Sequence, residues 1–456
     1  MYDIPKQLIK KYSVVGPRYT SYPTAPVWHE IDRLTQTNWL SQIKDQQQSL
    51  SIYVHIPFCW ERCTYCGCNV IITRKQAQSA EYVKYLLREI EQLGENLNKN
   101  SKIKQLHFGG GTPNFLLNEE IEAVFNKINS IFDFEEDAEI AIELDPCTIR
   151  PGQLDFLHKL GVNRLSLGVQ DLDEKVQKAV NRIQSREITQ ETLQYSRNAG
   201  VEGINFDLIY GLPFQTLESF QHTVEKVIEM RPDRLAIYNF GYLPQRMIHQ
   251  RKIDPETLPN ANLKLEILLD TINRLCGAGY NYIGMDHFAL PEDELSVALN
   301  NRTLHRNFMG YTPKSDVNLF GIGMTAISEF NHFFIQNEKK LKPYKEQISA
   351  SGLSGCRGME LSRDDQIRKW TILHLICHFF LSFDEFFKKF NVDFNDYYIN
   401  EMIQLQSLEK DGLLEIRHNG LTVINHGQIL VRNICMLFDA YLNQEGVPQT
   451  RYSKTI

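Results

Sequence analysis

Cys59, Cys63 and Cys66 carry a C-x3-C-x2-C spacing in the segment Phe58-Cys-Trp-Glu-Arg-Cys-Thr-Tyr-Cys-Gly-Cys68. A loop this short can wrap three thiolates around one cuboidal cluster, and iron–sulfur clusters take thiolate ligands. Three ligands leave one iron without a protein donor, and that open position can bind a substrate or cofactor. Structural zinc asks instead for four closed ligands. Cys68 is available as a fourth, yet no paired Cys-x2-Cys follows downstream. Cys68 itself has three chemical readings: a fourth ligand, a proton donor, or a small hydrophobe. The other cysteines are scattered, and Cys377 and Cys435 fall in apolar helical runs that read as core.

The cysteine loop directly follows a short apolar run, Leu50 to His55. Similar runs recur at Lys104 to Phe108, Glu139 to Leu144, Arg164 to Gly168, Gly203 to Ile209, Arg234 to Phe240 and Tyr280 to Gly284. Between them lie stretches of helical spacing such as Ala80 to Leu97, Glu119 to Ile131, Asp173 to Val180, Ile188 to Ala199 and Ser219 to Met230. The alternation predicts successive βαβ units and a parallel sheet. At the run ends stand Gly109-Gly-Gly-Thr112, Glu143, Gln170, Asp207 and Gly241. Any one of these can simply end a strand. Five in succession favour a site, because ligand chemistry in parallel barrels gathers at the strands' carboxyl ends.

After about residue 360 the pattern turns mainly helical: Asp364 to Phe380, Phe383 to Phe390, Tyr397 to Glu409 and Ile429 to Leu442, with a strand-turn unit near Leu413 to Val423. Ser328 to Gly358 shows no firm pattern. The predicted division is an N-terminal segment at 1–48, a barrel at 49–330 and a helical C-terminal domain at 331–456.

The balance of 49 basic against 56 acidic residues, a net charge of −7, argues against general nucleic-acid binding. The first residues, Met-Tyr-Asp-Ile-Pro-Lys-Gln, show no apolar core or cleavage site, so no export signal is predicted. Trp370 to Phe383 is apolar but broken by His374 and His378 and too short to span a bilayer. A cytoplasmic location is expected, where clustered cysteines read as metal ligands rather than disulfides.

The cysteine loop with Tyr65 before its third cysteine resembles the signature of the radical S-adenosylmethionine superfamily. Longer segments resemble one family within it, the oxygen-independent coproporphyrinogen III dehydrogenases: Gly16-Pro-Arg-Tyr-Thr-Ser-Tyr-Pro-Thr24, Cys66-Gly-Cys-Asn69, Phe108-Gly-Gly-Gly-Thr-Pro113, Asp207-Leu-Ile-Tyr-Gly-Leu-Pro213, Gly284-Met-Asp-His-Phe288, His305-Arg-Asn-Phe308 and Val431-Arg-Asn-Ile-Cys-Met436. The resemblance implies a partial (β/α)6 TIM-like barrel with a mainly helical C-terminal domain. It also implies one [4Fe–4S] cluster on Cys59, Cys63 and Cys66 and two S-adenosylmethionine molecules. The implied reaction is anaerobic oxidative decarboxylation of coproporphyrinogen III to protoporphyrinogen IX, through hydrogen abstraction by a 5′-deoxyadenosyl radical. A reductase or flavodoxin-type electron donor and a monomeric state follow from the same resemblance.

Residue roles follow where chemistry and resemblance agree. Gly110 and Gly111, with Thr112, let the backbone approach a ligand closely. Glu143 is suited to accept from ribose hydroxyls or an ammonium, and the planar fork of Arg182 suits a carboxylate. Tyr53, Tyr65, Gln170, Asp207, Gly241 and Ile327 are carried over as cofactor contacts, with core packing the alternative for Tyr65 and Ile327. Tyr53 and Glu143, with Cys68, are the catalytic candidates; the family places at Cys68 a cysteine needed for activity that is not a cluster ligand. Arg18, Arg306 and Phe308 are candidate substrate contacts for a four-carboxylate porphyrinogen. The family pattern asks for glutamine where Met309 stands, and a thioether cannot donate a hydrogen bond. The rival reading is a haem-binding chaperone of the same superfamily, against which Cys68 and Arg18-Tyr19 count.

Overall fold

The computed structural model describes residues 4–330 and 332–442. They fall into two compact units: His29–Pro259 with Asp316–Glu360, and the residues up to Trp28 with Asn260–Ser315 and the chain from Leu361 onward.

The larger unit is built from β1 (Ser49–Ile56), α1 (Ala77–Asn96), β2 (Lys102–Gly110), α2 (Asn118–Asn129), β3 (Phe134–Leu144), α3 (Gln153–Lys159) and β4 (Arg164–Gln170). It continues through α4 (Glu174–Ala179), α5 (Arg186–Asn198), β5 (Gly203–Tyr210), α6 (Leu217–Met230) and β6 (Arg234–Asn239). Each strand from β1 to β6 pairs in parallel with the next, which makes the unit a (β/α)6 partial barrel. A further parallel strand, β7 (Asn318–Ile322), returns to the free side of β1. From it β8 (Ile327–Glu329), β9 (Phe333–Asn337) and β10 (Gly355–Glu360) continue antiparallel.

Alternation along the strands sorts the two faces. On β1, Leu50, Ile52, Val54 and Ile56 are fully buried, and on α1 Tyr82, Val83, Leu86, Ile90 and Leu93 recur at helical spacing as its buried stripe. The opposite face of the sheet is polar. Across it the Ser51 hydroxyl donates to Gln105 Oε1 at 2.9 Å, and Gln105 Nε2 donates to Glu139 Oε1 at 2.7 Å. Arg164 Nε donates to Glu139 Oε2 at 2.7 Å, with the Arg234 guanidinium 3.9 Å from the same oxygen. Burial pushes the Glu139 carboxyl up, but the two arginines and Gln105 outweigh it and bring its pKa down to about 2.

The second unit packs the helices Arg363–His378, Phe383–Phe390 and Ile399–Lys410 around Ile372, Leu375, Phe386, Phe394, Tyr398 and Phe438. A small antiparallel sheet of Phe380–Ser382, Gly420–Val423 and Leu414–Arg417 lies beside them, matching the expected strand-turn unit. The N-terminal residues belong here: Arg432 Nε donates to Pro17 O at 2.9 Å, and Tyr19 and Tyr22 are buried in the same core.

The predicted boundaries at 48 and 330 do not coincide with these units. Residues 29–48 group with the barrel and 260–315 with the helical unit. Tyr280 to Gly284 is not a parallel strand: Asn281–Gly284 turns at Met285, which has φ +54°, and pairs antiparallel with His287–Ala289. The patternless stretch after Ser328 holds β8 to β10 and the helix Leu341–Ser351, strands of three to six residues interspersed with polar side chains. The helix expected over Ile429 to Leu442 is regular only at Val431–Met436, and positions 443–456 of the C-terminal segment lie outside the described residues.

Replacing Glu139 with alanine leaves two arginines facing a buried vacancy and is expected to cost about 3–5 kcal/mol, read by chemical denaturation. Because its folded pKa lies below the ordinary carboxylate value, this contribution is complete above about pH 4.5. It is lost as pH falls toward 2, and a denaturation series across that window in wild type and Glu139→Gln checks the difference.

Candidate cluster and cofactor site

The cysteine loop leaves β1 through Pro57 and is fastened at several points. Phe58–Cys59 pairs with Ile71–Ile72, and Thr73 N donates to Cys59 O at 3.0 Å. Thr64 N donates to Val180 O at 3.0 Å and Asn181 Nδ2 to Arg62 O at 3.1 Å, tying the loop to the end of α4. The sulfur of Cys59 accepts from Thr112 Oγ1 at 3.3 Å, and that of Cys66 from the Cys68 amide at 3.4 Å.

Cys59, Cys63, Cys66 and Cys68 line one cavity of about 510 Å³ together with Tyr65, Gly110, Gly111, Thr112, Glu143, Gln170, Arg182 and Asp207. The structure thus brings most of the sequence-predicted residues to one place. The volume is that of a small-molecule site. Among the described residues no group of three or more His, Cys, Asp or Glu converges on a single ion. Three thiols on one wall of a cavity this size suit a cluster, which takes each thiolate at a separate iron corner. Hydrogen bonding from the Cys68 thiol pulls Cys66 down to about 6 despite its burial, whereas burial pushes Cys59 up to about 12. Thiolate ligation therefore releases protons, chiefly from Cys59 and Cys63.

The glycines behave differently from the simple cradle expected. A Cβ on Gly110, at φ +115°, would sit 2.5 Å from the His55 ring, and one on Gly111 would sit 2.8 Å from Phe58 O. The amides are engaged within the protein: Gly110 N donates to Glu143 Oε2 at 3.0 Å, Gly111 N to Ile56 O at 2.7 Å and Thr112 N to Phe58 O at 2.9 Å. The glycines let the cysteine loop and Glu143 close on the turn, whose amides are thereby engaged within the protein.

Glu143 also accepts or shares a hydrogen bond with His107 Nε2 at 3.1 Å. Burial raises its pKa, but His107, the Gly110 amide and His55 outweigh that, so the carboxyl is held below its usual range. Asp207 accepts from Ser166 Oγ at 2.9 Å and Asn205 Nδ2 at 3.0 Å, and burial beside Glu143 pushes it up to about 6. Arg182 reaches Gly168 O at 2.8 Å and straddles Asp145 at 3.2 and 3.3 Å. Its fork is thus oriented within the protein, not solvated.

Tyr53 stands behind the cavity wall. Its hydroxyl lies 3.1 Å from His55 Nδ1 and its ring stacks on His107 at 5.8 Å. His55, neutral because burial brings it down to about 4, contacts Asn69 O through Nε2 at 3.2 Å. Gly241 and Ile327 do not line the cavity: Gly241 O accepts from Gln250 Nε2 at 3.1 Å, and Ile327 pairs with Gln336 in the sheet. Tyr65 does both jobs, lining the cavity and packing on the cluster of Val176, Val180, Leu212, Phe240 and Ile253. Sequence reasoning missed His107, Asp145 and Ser166. His107 and Ser166 lie two residues before Gly109 and Gly168 and share their strand faces, a period-two signal that was available.

In the second unit, Arg18 forms a two-oxygen ion pair with Asp286 at 2.7 and 2.5 Å. Arg306 is buried, its Nη1 donating to Arg18 O at 2.6 Å and Tyr19 O at 2.7 Å. The candidate substrate arginine Arg306 therefore braces the N-terminal segment, its Nη1 turned to two backbone carbonyls. Phe308 packs edge-on to Trp28 at 5.6 Å, and Met309 is half-buried.

The model of the radical SAM superfamily matches residues 53–227, the span from β1 through α6 that carries this cavity. The chain is 44% identical over 449 residues to the oxygen-independent coproporphyrinogen III oxidase of Escherichia coli, and 42% over 452 residues to that of Pseudomonas aeruginosa, covering 98% of every chain compared. The chain belongs to this family. The solved structure of the Escherichia coli enzyme, described as a radical SAM enzyme, superposes with a TM-score of 0.91 at 42% identity over 97% of this chain and all of that one. Family membership implies a [4Fe–4S] cluster and S-adenosylmethionine.

Gly110→Ala combines a left-handed residue with a clash against His55. The strain alone is expected to cost about 1–3 kcal/mol, read as a lower melting temperature, with less iron retained per chain after reconstitution.

Proposed function

We propose that the protein oxidatively decarboxylates coproporphyrinogen III to protoporphyrinogen IX without oxygen, consuming two S-adenosylmethionine molecules per turnover. What supports this reading above all is 42–44% identity over nearly the whole length to coproporphyrinogen III oxidases, with the three-cysteine loop facing a single cavity. When bound, the cluster and S-adenosylmethionine supply one-electron cleavage and hydrogen-atom abstraction.

The chain's own residues divide the remaining work. Cys59, Cys63 and Cys66 hold the cluster, leaving one corner to the cofactor. The carbonyls of Gly110 and Gly111 and the Glu143 carboxylate, charged at neutral pH, are acceptors for an ammonium or ribose hydroxyls. Asp207, with a pKa near 6, accepts from a second hydroxyl pair, while Gln170 and Arg182 offer donors to a carboxylate. Thr112 orients the Cys59 sulfur, and Tyr65 covers the loop. Cys68, exposed two residues from Cys66, is a catalytic residue that does not hold the cluster. Tyr53 acts through His55, fixing the turn at Asn69. Arg18 and Phe308 serve the substrate, Phe308 by apolar contact, since Met309 cannot donate.

The enzyme is proposed to work as a cytoplasmic monomer in porphyrin and haem biosynthesis, fed electrons by a reductase or flavodoxin-type donor and independent of nucleic acid and membrane. No helix among the described residues is long and apolar enough to cross a membrane.

An anaerobic assay of the reconstituted protein with coproporphyrinogen III, S-adenosylmethionine and a strong reductant tests the reaction. Expected is protoporphyrin after oxidation, with one 5′-deoxyadenosine for each carboxyl lost. Deoxyadenosine without protoporphyrin contradicts the substrate. Tight haem binding with no cofactor cleavage contradicts the reaction.

A further inference from the structure

Strand β4 ends in an unusual way. Gln170 has φ +68°, and the amide of Asp171 donates across it to Val169 O at 2.9 Å. A three-residue turn with a positive φ at its centre is rare and strained, and a side chain larger than hydrogen makes it more so. Such a conformation persists only where the surroundings over-determine it. Here the following residue does so.

Asp171 is 1% exposed, and its carboxylate accepts from Gln215 Nε2 at 2.5 Å, Thr223 Oγ1 at 2.7 Å and Asp173 N at 2.8 Å. Gln215, equally buried, uses its carbonyl oxygen to hold the amides of Gly211 and Leu212 at 2.6 and 2.9 Å, where the chain leaves β5 after Asp207. The Asp171 carbonyl accepts from Gln177 Nε2 at 2.8 Å. Gln177 also exchanges two hydrogen bonds with the Gln184 backbone, and Gln184 Oε1 accepts from Arg182 Nη2 at 3.1 Å. One buried polar network thus ends on Gln170, on Arg182 and on the exit from β5. Apolar packing would fill this space without the desolvation of a carboxylate, so the network specifies geometry.

We propose that Asp171 is a positioning residue whose buried carboxylate, held between Gln215 and Thr223, fixes the turn at Gln170 and, through Gln177 and Gln184, the guanidinium of Arg182. This rests on the reading that Gln170 and Arg182 contact S-adenosylmethionine. The network lets two donors stand ready on one cavity wall before the cofactor arrives.

The test is the Kd of S-adenosylmethionine for the cluster-reconstituted full-length enzyme, with iron content and melting temperature measured beside it. Asp171→Asn sets two amide donors face to face, and Kd is expected to rise about tenfold while the cluster is retained. Adding Gln215→Glu restores a donor–acceptor pair with residue 171 but gives up the bond from Gln215 Nε2 to Ile209 O at 2.9 Å, and is expected to recover part of the affinity. Wild-type affinity in Asp171→Asn overturns the proposal, as does a folded double variant that recovers nothing. If Asp171→Asn does not fold, Thr223→Val decides in the same way, with a smaller rise expected and an unchanged Kd overturning the proposal. Gln170→Ala and Arg182→Ala separate the two readings. If both bind as wild type, their assignment fails and the proposal falls with it. If both weaken binding while Asp171→Asn does not, only the proposal falls.

Discussion

The site depends on two backbones lying directly against each other. Residues 56–58, on their way from β1 into the cysteine loop, receive the amides of Gly111 and Thr112 at 2.7 and 2.9 Å. No side chain fits between them, since a Cβ on Gly111 would meet the carbonyls of both Ile56 and Phe58 at about 3 Å or less. The parallel pairing of β1 with β2 brings the two segments level, His55 opposite Gly109 and Ile56 opposite Gly110. From this contact follow the place of Cys59, the bond from Thr112 to its sulfur, and the closure of Glu143 on the Gly110 amide.

The polar face of the sheet is arranged in layers with different tasks. In one, Glu139 is matched by Arg164 and Arg234 and accepts from Gln105. Glu143 stands two pleats along the same strand, on the same face, but opens on the cavity and is matched only by histidines and a backbone amide. The two carboxylates show how one strand holds a charge cluster at one level and opens on the cavity at the next. The buried network under Gln170 adds a third layer of support, in which amides rather than charges set the angles.

Much of this was legible from residue types and spacing. Six of the seven β-branched runs are the parallel strands, and the polar residues at five strand ends marked the site, four of them lining the cavity. Gly241 stands outside this cavity, its carbonyl accepting from Gln250 in the loop beyond the strand. The Tyr280 run failed because period alone does not distinguish a hairpin from a parallel strand. The stretch after Ser328 was illegible because its strands are short and carry Gln, Asn and Glu, whose partners lie far away in sequence: Asn337 Nδ2 donates to the buried Glu89 at 2.6 Å. Arg306 shows the limit of charge reasoning, for a guanidinium in a polar-aromatic segment turned out to brace backbone carbonyls. The resemblance supplied what spacing could not, the identity of cofactor and substrate.

The central claim is that three cysteines, and not the fourth, hold a cluster whose open corner faces the cofactor cavity. Electron paramagnetic resonance of the reduced, reconstituted protein tests it directly, recorded with and without S-adenosylmethionine for wild type and Cys68→Ala. The account predicts a cluster signal that shifts on addition of the cofactor and survives in Cys68→Ala. A signal indifferent to the cofactor, or one lost with Cys68, would contradict it.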